Sequence, residues 1–355
     1  MKIEKLTENA IALLKKLIET PSFSSEEENT AKLIEGWFTE NKIPFKRTEN
    51  NIWATNKYFD KSKPTLLLNS HHDTVKPNSA YTKNPFKAIV EDGKLYGLGS
   101  NDAGGCLVSL IATFTNFYAH KNLNYNLVIV ASAEEENSGC NGLNSMLSII
   151  PHIDVAIVGE PTLMNLAVAE KGLVVFDAVV EGTPSHAAHP NNNNAIYNTI
   201  EVLQWFKDFK FEKTSVALGD VKITVTQIAA GSQHNVVPAH VDLVVDVRVN
   251  DAYSNQEIAA ILQEKSPCTK ITARSLRLNS SAIPTKHDLV KAGIAMGRET
   301  YGSPTLSDQA VLSCPSLKLG PGDSTRSHSA DEFIYLAEIE EGIQLYIELL
   351  NRVIV

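Results

Sequence analysis

The sequence predicts an α/β protein interrupted by an inserted α+β domain, and three observations carry that expectation. Apolar runs such as Leu66–Leu68 and Leu127–Val130 alternate with helical patterns through the first half of the chain. Strands that apolar belong at the centre of a sheet, covered on both faces. Around Gly172 the rhythm changes to longer strands, and from about Lys286 helix and short strand resume. With 355 residues, the chain also exceeds the size at which a single core stops growing, so two domains are expected.

The first helix is expected over about Ile3–Ile18, ending at Thr20-Pro21. Its lysines imitate a signal peptide, but Glu8, Lys15 and Lys16 interrupt the apolar positions, so it reads as a domain helix. A second helix is expected to begin near Ser24 or Ser25, where Ser followed by Glu three residues on reads as a capping box. Strands follow at Ile52–Thr55 and Leu66–Ser70, then a hairpin-like KAIVEDGKLYG turning at Asp92-Gly93. A helix from Cys106 to Tyr118, a strand from Leu127 to Ser132, a further helix and a strand from Val155 to Gly159 complete the alternation. Then come the strand GLVVFDAVVEG, a helix over Ala195–Phe209, the strands VKITVTQIAAG and AHVDLVVDVRV, a helix over Asn255–Glu264 and the strand KITARSLRL. That β-α-β-β-α-β order is the ferredoxin-like unit. The expected domains are 1–170 with 283–355, and 171–282 inserted between them.

A net charge of -9 and the lack of any Lys/Arg run argue against a nucleic-acid partner. No apolar stretch reaches membrane-spanning length, so no membrane partner is expected. Cys106, Cys140, Cys268 and Cys314 form no C-x-x-C pair and read as free thiols in a reducing compartment, which makes a cytoplasmic protein the expectation.

Acidic and imidazole side chains stand where the apolar runs end. They are His71 and Asp73 in LLLNSHHDTV, Asp102 in YGLGSNDAGG, the run Glu134-Glu135-Glu136 after VIVAS, and Glu160 after VAIVG; His328 lies far downstream in GPGDSTRSHSADE. Ligands of open α/β sheets bind beyond the C-terminal strand ends. Carboxylates gathered there repel one another unless a cation is near. Two imidazoles with several carboxylates suit zinc or a similar first-row ion better than magnesium or calcium. Each place alone has a plainer reading: Asp102 as a helix N-cap, the glutamates as a solvated charge run, His328 as an exposed loop residue. His72 reads as a neighbour pointing elsewhere.

The combination resembles the metallopeptidase family of acetylornithine deacetylase, succinyl-diaminopimelate desuccinylase, aminoacylase and glutamate carboxypeptidase. The resemblance covers nearly the whole chain and implies a mixed-sheet, zinc-exopeptidase-like catalytic domain with an inserted lid. By that resemblance His71 is a metal ligand, Asp73 orients it, and Asp102 bridges two metals. Glu134 is the general base, and Glu135, Glu160 and His328 are ligands. One zinc takes His71, Asp102 and Glu160; the other takes Asp102, Glu135 and His328; cobalt is an acceptable substitute. Ser70, Leu98 and Ala133 stand where the family has glycine, arginine and aspartate, and Glu136 offers a competing frame for the two glutamates.

In the inserted domain, His186 in EGTPSHAAHP matches a histidine that reaches into the partner subunit's site and polarises the scissile carbonyl. Asn235 in HNVVP and Arg248 in VDVRV match substrate-binding residues. Arginine suits a carboxylate bidentately, although a salt bridge from Arg248 to Asp246 is nearly as good a reading. The implied activity is amide hydrolysis of a small N-acyl amino acid, with acetylornithine deacetylase nearest and a homodimer through the lid. Runner-up readings are a di- or tripeptidase or carboxypeptidase on the same site, and a non-catalytic metal-bound amino-acid-binding protein. A Ser or Cys hydrolase is poorly supported, because no G-x-S-x-G occurs.

Overall fold

The computed structural model describes residues 2–355, which divide into two compact units. One comprises the chain up to Val168 with Ala282–Tyr301 and Ser307–Val355; the other comprises Ala169–Ser281 with Gly302–Leu306. The short return segment joins the second unit because Gly302 lies directly against the Ala217 backbone, where a Cβ would find no room.

The first unit is built on a mixed sheet whose strand order begins Lys46–Thr48, Asn51–Thr55, Asn126–Ser132, Thr65–His71, Val155–Val158, Ser316–Lys318. The last four are mutually parallel, and Asn51–Thr55 joins them antiparallel. Thr65–His71 and Asn126–Ser132 are buried at every position, because both faces are covered. Leu66, Leu68, Leu127 and Ile129 face the helices Ile3–Ile18, Glu28–Glu40, Gly105–Phe117 and Leu336–Val353. Leu67, Val128 and Val130 face Trp53, Leu143 and Met146 on the other side. Alternation along a strand sends successive side chains to opposite faces, and each such side chain stabilises the fold by about 1.5–3 kcal/mol.

The first helix spans Ile3–Ile18 as its spacing predicts. The Asp92-Gly93 hairpin forms, with φ of 51° and 75° at its two turn residues, the positive values a tight two-residue hairpin requires. The second helix departs from expectation. It starts at Glu28, its flanking residue Glu27 makes no side-chain cap, and Ser25 has φ 73°. The Ser24 and Ser25 hydroxyls instead donate to Asp73 and Glu134, so no capping box forms there. The helix expected after Ser132 shrinks to Leu143–Met146, and KITARSLRL forms a strand only over Lys270–Ala273.

The second unit has an antiparallel sheet ordered Lys222–Ala230, His240–Val249, Gly172–Glu181, Lys270–Ala273. Helices Ala195–Asp208 and Asn255–Lys265 cover one face, burying Val174, Phe176, Val245 and Val247 against Val202, Phe206, Ile258 and Leu262. Lys222–Ala230 is an edge strand, exposed over its last five residues.

Candidate active site

Three parallel strands deliver chemistry at the same end of the sheet. His71 is the last residue of its strand, the Glu134–Glu136 run follows Ser132, and Glu160 follows Val158 closely. Asp102 comes from the irregular turn Ser100–Gly104, where its own backbone is extended (φ -115°, ψ 100°). The helix begins only at Gly105, so Asp102 is not its cap. The Glu332 carboxylate holds the turn by accepting the N–H groups of Gly99, Asn101 and Asp102 at 3.2, 2.8 and 3.0 Å.

His71 is buried, and its two ring nitrogens have different surroundings. Nδ1 lies 3.0 Å from the Asp73 carbonyl oxygen and 3.3 Å from its carboxylate, which fixes the proton on that side. Nε2 has no hydrogen-bond partner. It faces Asp102 at 3.4 Å, Glu160 at 3.7 Å and Glu135 at 3.9 Å. A buried, unpartnered ring nitrogen facing three carboxylates is what a cation ligand set looks like. Two groups are close enough to share one ion, His71 with Asp102 and Glu136, and His71 with Glu135 and Glu160. The N and O donors present fit a first-row metal.

His328 lies at the rim, its side chain 55% exposed, with Nε2 3.0 Å from Glu136 and 3.8 Å from Asp102. Its position comes from loops: Asn78 donates to its carbonyl, and Asp331 accepts the N–H groups of Thr82 and Lys83. Arg326, in the same segment, pairs with Glu338 at 2.7 and 3.0 Å, so its guanidinium is engaged there.

Residues 67–352 match the profile of peptidase family M20/M25/M40. The chain belongs to that family. It is 27% identical to a succinyl-diaminopimelate desuccinylase of Rickettsia bellii, over 95% of each chain. It is 26% identical to an acetylornithine deacetylase of Photorhabdus laumondii, over 96% of each. Among solved structures it resembles an M20 metallo-carboxypeptidase of Sulfolobus solfataricus (TM-score 0.76, 15% identity, 97% of this chain and 98% of that one). It also resembles a dinuclear metal-binding M20 peptidase of Bacillus subtilis (TM-score 0.74, 14% identity, 98% of each). This M20 protein is thus a metal-dependent amidohydrolase.

Within the M20 site, the three glutamates of the acidic run have different partners. Glu134 has φ 55°, and its carboxylate accepts from Asn141 N–H, Asn141 Nδ2 and Ser25 Oγ, each at 3.1 Å. It faces its own loop and the Ser25 hydroxyl. Glu135, expected to accompany His328, instead points toward His71 and Glu160. Glu136 is the residue beside His328. The turn at Glu134 sends the three side chains in different directions.

Burial pushes the Glu135 carboxyl well above the usual range; His71 opposes this, and Glu160, Asp308 and Glu136 add to it. The bond to Glu136 raises His328 to about 9. Burial raises Asp308 to about 6 and, with Asp102 nearby, Glu332 to about 8. Asp308 and Glu332 are the residues sequence reasoning missed. Asp308 accepts from Ser132 Oγ at 2.6 Å, at the end of a central strand. No apolar run precedes Asp308; Glu332 stood in the quoted HSADE motif beside its histidine.

His186, Asn235 and Arg248 all lie in the second unit. His186 and Asn235 are brought together: Ser185–His186 pairs with Val236–Val237, and Ala187 N–H donates to the Asn235 carbonyl at 2.9 Å. His186 Nδ1 accepts from Ala188 N–H, leaving Nε2–H free to donate. Arg248 makes the salt bridge to Asp246 at 2.9 and 3.2 Å. It pairs with Leu173, whereas His240, at the other end of its strand, pairs with Glu181 near the His186 hairpin. Eight residue steps along the strand separate His240 from Arg248, roughly 26 Å. His72 points away from the cluster, to Thr30 Oγ1 and the Asn50 carbonyl.

Proposed function

We propose that this M20 enzyme removes the Nα-acyl group from a small N-acyl amino acid, with an acetylated or succinylated ornithine or citrulline as the first candidate. Arginine biosynthesis and the cytoplasm are the matching context, and the four free thiols fit a reducing compartment. The observation that carries this reading is similarity, over nearly the full length, to both an acetylornithine deacetylase and a succinyl-diaminopimelate desuccinylase.

In this proposal His71, Asp102 and Glu160 would hold one zinc, and Asp102, Glu136 and His328 the other. Bound there, zinc would acidify a water and polarise the acyl carbonyl. Glu135, beside His71 and Glu160, would take the proton from a water there and return it to the leaving amine. Asp73 keeps His71 in its ligating tautomer. His186 Nε2–H donates to the developing oxyanion, Asn235 lies beside it, and Arg248 receives the substrate carboxylate once Asp246 releases it.

His186 lies in a two-stranded ribbon beside the His240 end of the strand whose other end carries Arg248, a separation that favours the two residues meeting one substrate from different chains. This supports a homodimer in which the inserted unit acts as lid and interface. The exposed edge strand Lys222–Ala230 and the exposed Ile196, Tyr197 and Ile200 of the neighbouring helix offer the surface for it.

Rates on Nα-acetylornithine, acetylcitrulline, their succinyl analogues and a set of dipeptides test the reading. The deacylase proposal expects the acyl amino acids to be fastest. Dipeptides cleaved faster than every acyl amino acid would replace it with the peptidase reading, which the structural neighbours favour. Purified protein analysed for metal alongside would name the ion.

A further inference from the structure

We infer that Glu27, a residue outside the ligand cluster, is a positioning residue that sets the frame of the Glu134–Glu136 run; the catalytic part of this rests on the deacylase or peptidase reading above. Glu27 is fully buried. Its Oε1 accepts the N–H of Ser25 at 2.6 Å and the N–H of Glu134 at 3.1 Å, and its Oε2 accepts from Asn50 Nδ2 at 2.8 Å. The next two amides are held in the same way. Glu135 N–H and Glu136 N–H donate to Asp73 Oδ1 and Oδ2, each at 3.1 Å. Three consecutive peptide N–H groups thus end on buried carboxylates, one on Glu27 and two on Asp73.

Hydrogen bonds to an ionised acceptor are the strong ones, and three in succession fix the peptide planes from which the side chains leave. The hold is reciprocal. Ser25 Oγ donates to Glu134, Ser24 Oγ to Asp73 at 2.7 Å, and Ser22 Oγ to the His72 carbonyl at 2.8 Å. Residues 22–27 therefore form a bracket between the end of the His71 strand and the acidic run. The S-x-x-E spacing that resembles a helix cap serves this bracket. Loss of the Glu27 acceptor frees the Glu134 amide and lets Glu135 shift against the cluster, where a misplacement of about 1 Å costs on the order of a hundredfold in rate.

The test compares Glu27→Ala, Glu27→Gln and Glu27→Asp in the full-length protein. Gln keeps an oxygen for both amides, at some cost in stability where its NH2 meets the Asn50 Nδ2 donor, whereas Asp withdraws the oxygen by one methylene. The expected result is a kcat lower by roughly 30–100-fold in Ala and clearly lowered in Asp, near wild type in Gln, with KM changed little throughout. Amide hydrogen exchange on the protein as purified, without substrate, should show lost protection over residues 133–141 in Ala and Asp, with residues 65–71 unchanged. Unaltered protection over 133–141, or full kcat in folded Ala or Asp, would overturn the inference. Where Ala fails to fold, the Asp and Gln pair decides. A wild type inactive on the whole panel would count against the functional reading, while exchange would still decide whether Glu27 holds the run.

Discussion

The two halves of the ligand cluster are built differently. His71 ends a strand buried at every position, and its ring is clamped by Asp73. His328 sits at φ 57° in a loop, half exposed, held through Asn78 and Asp331. A ligand fixed by core packing is pre-organised; one held by loop hydrogen bonds belongs to the part of a fold that opens most easily. The strand-borne half is therefore expected to bind its ion more tightly than the loop-borne half.

The sharpest way to break that comparison lies between them, at Glu135. Glu135→Gln should keep both ions while kcat falls by about 10²–10⁴. Undiminished turnover would return the base to another glutamate. Next in size, His71→Ala should release most bound metal, whereas His328→Ala should retain the ion proposed for His71, Asp102 and Glu160. Elemental analysis after dialysis measures both, and equal losses would erase the distinction between the halves.

A smaller effect is expected at Glu134. Glu134→Gln sets an amide donor against Asn141, so stability should fall by about 1–3 kcal/mol while kcat changes only a few-fold. Urea midpoints with kcat on the same preparation would show it, and a loss of turnover as deep as that of Glu135→Gln would restore the expected frame.

The last test concerns the packing beneath the strand-borne half. Burial lowers His72 to about 4. The unfolded chain, with an ordinary imidazole near 6.5, takes up the proton first as pH falls. Stability is therefore lost between pH 6.5 and 4, by at most about 3 kcal/mol from this group. His72→Gln should flatten that decline in the urea midpoint, and identical slopes would remove His72 from the acid response.

The places where chemistry gathers were legible because apolar strands ending in His or acidic residues leave few arrangements open. Leu66–Leu68 and Val155–Val158 had to be central, and central parallel strands end on one side of the sheet. Asp308 was not legible, since it reaches Ser132 from a turn that no apolar run announces. Arg248 remained open in the sequence, and the structure pairs it with Asp246.

The sequence by itself determined the order of elements, the two-part organisation and the positions from which His71, Asp102, Glu160 and His328 arise, because burial and periodicity act locally along the chain. Only the tertiary structure decided which of Glu134, Glu135 and Glu136 faces which partner, and that Ser24, Ser25 and Glu27 brace a distant loop and cap no helix. Those choices depend on one positive φ and on acceptors more than a hundred residues apart in sequence for Glu27 and Glu134. Composition does not carry such information, since a carboxylate takes the N–H that folding brings nearest.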